Sequence, residues 1–257
     1  MGKRHDAIGI KQTIRFEWMQ MAANLLLSGL DANTIRQELH EFLSGQKCNG
    51  SEGVRSDKTR TFVVNNLMRI WVSPDPDLVI FRDASLSFIH EHPSMELAVH
   101  WGIISAAYPF WFSVAQHMGR LLNLQNQVTQ DQIMTRLKEQ YGDRQTVSRY
   151  ARFVIRSFVV WGALKDSDVK GCYQNALPII ISNQKLTILM FEAILHAIPE
   201  GKMPLALLIN NPALFPFQLP VITGDFVSQQ KNRIDVVRYG LDDELLLLCN
   251  PIPHIVN

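Results

Sequence analysis

The stretch that decides the reading runs from Thr129 to Tyr173: TQDQIMTRLKEQYGDRQTVSRYARFVIRSFVVWGALKDSDVKGCY. It opens on a capping box, Thr129 with Gln132, in which each side chain can satisfy an otherwise free amide of the first helical turn. Gly142 falls where a helix should end in a left-handed residue. Asp143 can then cap a second helix from about Arg144 to Trp161, stopped by Gly162. At 100° per residue, Val147, Tyr150, Ala151, Val154, Phe158 and Trp161 share one face of that helix. Gln145, Arg149, Arg152 and Arg156 form a narrow stripe opposite, flanked by Phe153 and Val160. Ala163–Leu164 and Tyr173–Ile181 can pair as a hairpin. Helix, turn, basic helix and hairpin in that order is the layout of a winged helix-turn-helix, which lays its second helix in the DNA major groove.

An arginine stripe is also what many solvated helices carry, so charge balance has to separate the two readings. Residues 120–170 hold nine Lys/Arg against five Asp/Glu, whereas the whole chain of 257 residues has a net charge of only +1. A surplus of four in one segment, with no global pull toward polyanions, makes any nucleic-acid site a local patch. The residues expected to meet DNA are Arg144, Gln145, Thr146, Ser148, Arg149, Arg152 and Arg156, with Lys165 and Lys170 from the hairpin. A second basic surface is expected on a helix from about Ser56 to Val72, through Arg55, Lys58 and Arg69, while Val63, Leu67 and Ile70 face inward.

The rest of the chain reads as mainly α. It has a multi-helix N-terminal half, the winged helix-turn-helix-like segment, and a small mixed α/β C-terminal part. Four parts follow: a basic helical hairpin plus helix at 1–72, an apolar and acidic helical middle at 73–128, the winged segment at 129–181, and a C-terminal helix, Pro-rich loop and short strands at 182–257. A first helix is expected over 12–28 with Ile14, Trp18, Met21, Ala22 and Leu25 buried. Gly29 makes a turn and Asp31 caps a second helix to about Leu43. The Gly29-to-Ile35 spacing also resembles a helix-turn-helix core, but Leu25 stands where a small residue is usual, so a structural hairpin is the default. Ser182 is expected to cap a helix reaching about Ile198. Residues 233–248 offer two short strands about a Gly-Leu-Asp-Asp turn.

Composition closes off several classes. An apolar content of 47% with 19% charged residues is that of a packed globular protein. Cys48, Cys172 and Cys249 lie far apart with no paired spacing, which argues against a zinc site or disulfide framework and fits a reducing cytoplasm. Residues 97–119 contain no charged side chain and are long enough to span a bilayer. His100, Pro109, Gln116 and His117 interrupt them, and two buried helices meeting at Pro109 account for the run without a membrane. Tyr108, Phe110, Trp111 and Phe112 are expected in that core rather than as a stacking platform. His90-Glu91-His92 lacks a third ligand, and Asp75 and Asp77 sit in a Pro-rich break suited to turn and cap chemistry. No phosphate-binding glycine loop, nucleophile elbow, HExxH or CxxC occurs. No catalytic residue, metal or cofactor is therefore expected.

The order of features resembles one known family. LLLSGLDANTIRQEL is followed by the basic helix SDKTRTFVVNNLMRIW, then by SRYARFVIRSFVVWGAL, and finally by NPALFPFQLP and RIDVVRYGLDDELLLL. Together these are similar to the BrxA family of bacteriophage-exclusion (BREX) defence systems. The resemblance implies a non-enzymatic, largely helical protein that binds double-stranded DNA beside a methyltransferase, an ATPase and other defence proteins. Its implied DNA-facing residues are Gln145, Arg149, Arg152 and Arg156. Two alternatives stay open: an RNA target for the same basic faces, and an interaction scaffold that uses the apolar middle and the Pro-rich 203–222 loop without touching nucleic acid.

Overall fold

The path of the chain is set by where its helices are able to start and stop. The computed structural model describes residues 4–46, 56–230, 233–239 and 243–249. Helix α1 (Phe16–Leu27) begins four residues later than the apolar periodicity suggests. The reason is tertiary: the Ile14 amide donates to Ser157 Oγ at 2.9 Å and the Trp161 indole donates to the Ile14 carbonyl, so this segment is tied down in extended form. The buried face of α1 turns accordingly toward Trp18, Met19, Ala22 and Ala23, leaving Met21 and Leu25 only half-buried. Gly29, at φ +76°, makes the turn into α2 (Ala32–Ser44), and Asp31 caps it by accepting from the Asn33 and Thr34 amides. Ser56 caps α3 (Asp57–Leu67), which runs on into a π-helical turn, Met68–Val72. A short 3-10 turn at Pro76–Leu78 then leads into α4 (Val79–Glu91).

Pro109 divides the uncharged run. Helix α5 (Glu96–Ala107) and helix α6 (Pro109–Leu122) meet at a bend of 116°. Proline is suited to a first helical turn, where its missing amide is no loss, and unsuited to an interior. No single helix among the described residues is long and apolar enough to cross a membrane. Every residue from Ala98 to Ala115 is buried, and Tyr108, Phe110, Trp111 and Phe112 lie in the core as expected.

A two-residue strand that the sequence reading missed, β1 (Val128–Thr129), precedes α7 (Gln130–Tyr141). The Thr129–Gln132 capping box is present in full. Helix α8 (Gln145–Val160) follows. Its N-cap is Arg144, which makes no side-chain cap bond; the expected cap, Asp143, instead pairs with Lys138 at 2.8 Å. Strand β2 (Leu164–Asp166) pairs antiparallel with β3 (Cys172–Asn175), which also pairs with β1, giving the order β1-β3-β2. The single strand expected over Tyr173–Ile181 is therefore two. Beyond Pro178, β4 (Ile179–Ile180) leaves the hairpin for a parallel partner further along the chain.

Helix α9 (Gln184–Ala197) is capped by Asn183 rather than Ser182, because the Asn183 side chain reaches the Lys185 and Leu186 amides. It crosses α5 where Gly102 meets Ala193, so close that a Cβ on Gly102 would sit 3.2 Å from the Ala193 methyl. Next come β5 (Lys202–Pro204), α10 (Leu205–Ile209), β6 (Phe217–Gln218) and α11 (Gly224–Gln229). Strands β7 (Ile234–Tyr239) and β8 (Asp243–Leu248) complete the chain, in a second antiparallel sheet of order β5-β8-β7. The turn expected between them, at 240–242, lies outside the described residues. Buried side chains from Ile10 to Leu246 form one contiguous cluster, so all four sequence segments share a core.

Candidate nucleic-acid interface

The inner face of α8 is held by aromatic packing. Phe158 is fully buried, with ring centroids 4.8 Å from both Trp101 and Trp111, and Trp161 lies 5.3 Å from Trp111. Val147, Ala151, Val154 and Phe158 are buried as the helical period requires, and Tyr150 is half-buried. With one face anchored in this way, the opposite face is forced outward. Gln145, Thr146, Arg149, Arg152 and Arg156 are exposed and Ser148 is half-buried. Phe153 is half-buried and Val160 exposed beside the stripe.

These cations are not equivalent. Arg149 and Arg152 have no hydrogen bond or ion pair among the described residues. Arg144 is bent back, its guanidinium donating to the Tyr141 carbonyl at 2.8 Å, across the turn that Gly142 makes with φ +84°. Arg156 donates to Asp166 on β2 at 2.5 Å, and that bond raises the guanidinium pKa above its ordinary value. Arg156 thus joins the helix to the hairpin, and the Asp166 carboxylate offsets its charge there. Lys165 on β2 and Lys170 at the hairpin end are both exposed. An open cleft of about 820 Å³ separates the start of α7 from the hairpin, lined among others by Gln130, Arg156, Asp166, Lys170 and Tyr173. Burial raises the Tyr173 phenol pKa, so this phenol stays neutral beside the ion pair.

The second basic surface is not assembled in the same way. Arg55 lies outside the described residues. Lys58 is exposed in the first turn of α3. Arg69 has a different setting: it sits in the π-helical turn, pairs with Asp75 at 3.1 Å, and lies 5.3 Å over the Tyr108 ring. It lines a separate cleft of about 450 Å³ together with Arg4, His5, Asp75, Asp77 and His196. Arg4, which the sequence reading passed over, is buried there and pairs with Asp77 at 2.7 Å and Asp75 at 3.6 Å. Asp75 and Asp77 therefore hold arginines; neither makes the side-chain cap expected of a Pro-rich turn. In this cleft the two arginines are matched by two carboxylates. Nearby, Glu192 is fully buried on α9 and accepts both Arg233 guanidinium bonds at 2.6 Å.

Other candidate chemistry is dispersed. His90 and Glu91 are exposed at the end of α4, and the His92 ring packs against Phe88 at a tilt of 47° with centroids 4.7 Å apart. Among the described residues no group of three or more His, Cys, Asp or Glu side chains comes together as metal ligands. Cys172 and Cys249 are free, and Cys48 lies outside the described residues. No protein-family model, curated protein or solved structure matches the chain.

Proposed function

We propose that this is a non-enzymatic, cytoplasmic double-stranded DNA-binding protein that docks through the outer face of α8 and the β2–β3 hairpin. In this reading α6, β1, α7, α8 and the hairpin act as a winged helix-turn-helix-like module. The strand order β1-β3-β2 supports it, since the missed strand β1 supplies the third member that such a hairpin leans on. The observation that carries the reading is the pair Arg149 and Arg152. They are exposed, without any ion-pair partner among the described residues, and projected from a helix whose other face is locked in an aromatic core. Unpaired arginines on a fixed helix suit phosphate grip and base-edge contact, because the helix sets their direction and no internal ion pair has to be broken first. The similarity to the BrxA family adds a role in a bacteriophage-defence system beside a methyltransferase and an ATPase.

Charge reversal tests the assignment. The Arg149→Glu/Arg152→Glu protein should keep its circular dichroism and lose duplex binding by more than about thirty-fold, two bidentate contacts being worth about 1–3 kcal/mol each. Unchanged duplex affinity in a folded variant removes this surface from the reading. Tighter binding to RNA than to duplex DNA moves the target to RNA.

A further inference from the structure

Helices α6 and α7 are joined through residues 123–129 and lie antiparallel, the start of α6 against the end of α7. Ser113 Oγ meets the Tyr141 hydroxyl at 2.8 Å and accepts from Gln140 Nε2 at 3.3 Å. One turn further along α6, His117 Nε2 lies 3.2 Å from Gln140 Oε1. Side chains three or four residues apart share a helix face. Arg120 therefore follows His117 along α6, and Arg136, one turn before Gln140, comes up across from it on α7. Opposite charges at such positions would attract; here both are guanidinium groups. Arg120 and Arg136 are exposed, and neither makes an ion pair among the described residues.

The imidazole between them feels both charges. Burial is the first cause of the lowered His117 pKa; the Gln140 bond works against it, Arg120 and Arg136 add to it, and Glu139 opposes them. Glu139 is exposed on α7 and pairs with neither arginine. Like charges held together cost stability, and an anion between them turns that repulsion into attraction. We propose that the α6–α7 groove at Arg120, Arg136 and His117 grips backbone phosphates of duplex DNA, outside the stretch that α8 contacts. This rests on the duplex-binding reading above. Within that reading α7 is the first helix of the pair, the one that crosses the sugar–phosphate backbone while the second lies in the major groove. A duplex carries phosphates on both sides of a groove-bound helix, so the partner already engaged by α8 also supplies the anion here. An acidic protein would have to be a separate partner. Contacts of this kind fix the register of the protein on the duplex and carry no sequence information.

Anisotropy of the full chain with duplex DNA across a salt series is the test. The two arginines add to the slope that α8 and the hairpin alone would give. Arg120→Ala with Arg136→Ala should therefore lower the slope by about 1.8, at about 0.9 per phosphate contact, and weaken binding by about ten-fold or more on every duplex sequence alike. Both side chains are exposed, so circular dichroism and thermal unfolding should match wild type. Arg120→Lys with Arg136→Lys should restore most of the slope, since lysine also neutralises a phosphate. Lys202→Ala, on β5 of the second sheet, should leave it unchanged. A folded Arg120→Ala/Arg136→Ala protein with the wild-type slope overturns the proposal. It leaves the α8 reading in place if Arg149→Glu with Arg152→Glu still loses duplex binding. A loss of slope from Lys202→Ala equal to that of one arginine also overturns it, because the effect would then belong to the general field of the protein. A wild type that binds no duplex at the lowest salt overturns both readings together.

Discussion

Phe158→Ala probes whether α8 is oriented as described. Phe158 is fully buried, and its ring centroid lies 4.8 Å from Trp101, 4.8 Å from Trp111 and 5.9 Å from Phe215. Truncating a buried Phe removes its transfer energy and leaves a cavity, for a loss of about 3–5 kcal/mol. The three ring contacts place Phe158 within that range rather than below it, since aromatic pairs add about 0.5–1.5 kcal/mol each beyond area. We expect about 4 kcal/mol by urea unfolding, and a Tm lower by about 8–16 °C at about 2–4 °C per kcal/mol for a chain of this size. Arg152→Ala, on the opposite face of the same helix, should stay within about 0.5 kcal/mol of wild type. A Phe158→Ala loss below about 1 kcal/mol, or an Arg152→Ala loss as large as that of Phe158→Ala, would refute the orientation and with it the outward arginine stripe.

Two further expectations follow from the core. Gly119→Ala should destabilise by about 1–3 kcal/mol by overpacking, because a Cβ there would overlap the Pro212 carbonyl where α6 meets the 212–214 turn; unfolding midpoints equal to wild type would contradict that close approach. His100 is completely buried between Phe16 and Trp71, and desolvation lowers its pKa in the folded state despite Glu96 nearby. The unfolded chain takes up that proton near pH ~6.5 and the folded one resists it. The His100 contribution to stability is therefore full above that pH and declines as pH falls below it. His117, lowered chiefly by burial, acts in the same direction, so the comparison must be with His100→Gln. The variant should lose less stability than wild type between neutral and mildly acidic pH, and parallel curves would show that His100 does not titrate as described.

Much of the 129–166 segment was legible because it depends on local chemistry. The Thr129–Gln132 box, the Gly142 and Gly162 stops and the 3.6 period of α8 are each fixed by residues within a turn of one another. What escaped reading depends on distant partners. Strand β1 is two residues long, and only Tyr173 and Cys172 make it a strand. The late start of α1 comes from Ser157 and Trp161, more than a hundred residues away in sequence. β4 reads as a continuation of the hairpin until β6 captures it. The same limit applies to charge. Periodicity puts Arg69 on a polar stripe with Lys58, but Asp75 and Tyr108 claim it, and nothing in the sequence around Arg4 reveals that it is buried and paired with Asp77. Arg149 and Arg152 were readable because no described residue claims them.

Duplex binding across a salt series tests the central claim most directly. Arg144, Arg149, Arg152, Lys165 and Lys170 are exposed outside the Arg156–Asp166 pair. If each meets one phosphate, log K falls by about 4.5 per decade of salt, a loss of about 500-fold between 50 and 200 mM. Fluorescence anisotropy with duplex DNA should give a slope of that order, reduced by about two when Arg149 and Arg152 are replaced by Ala. No duplex binding at the lowest salt, or an affinity indifferent to salt, would contradict the account.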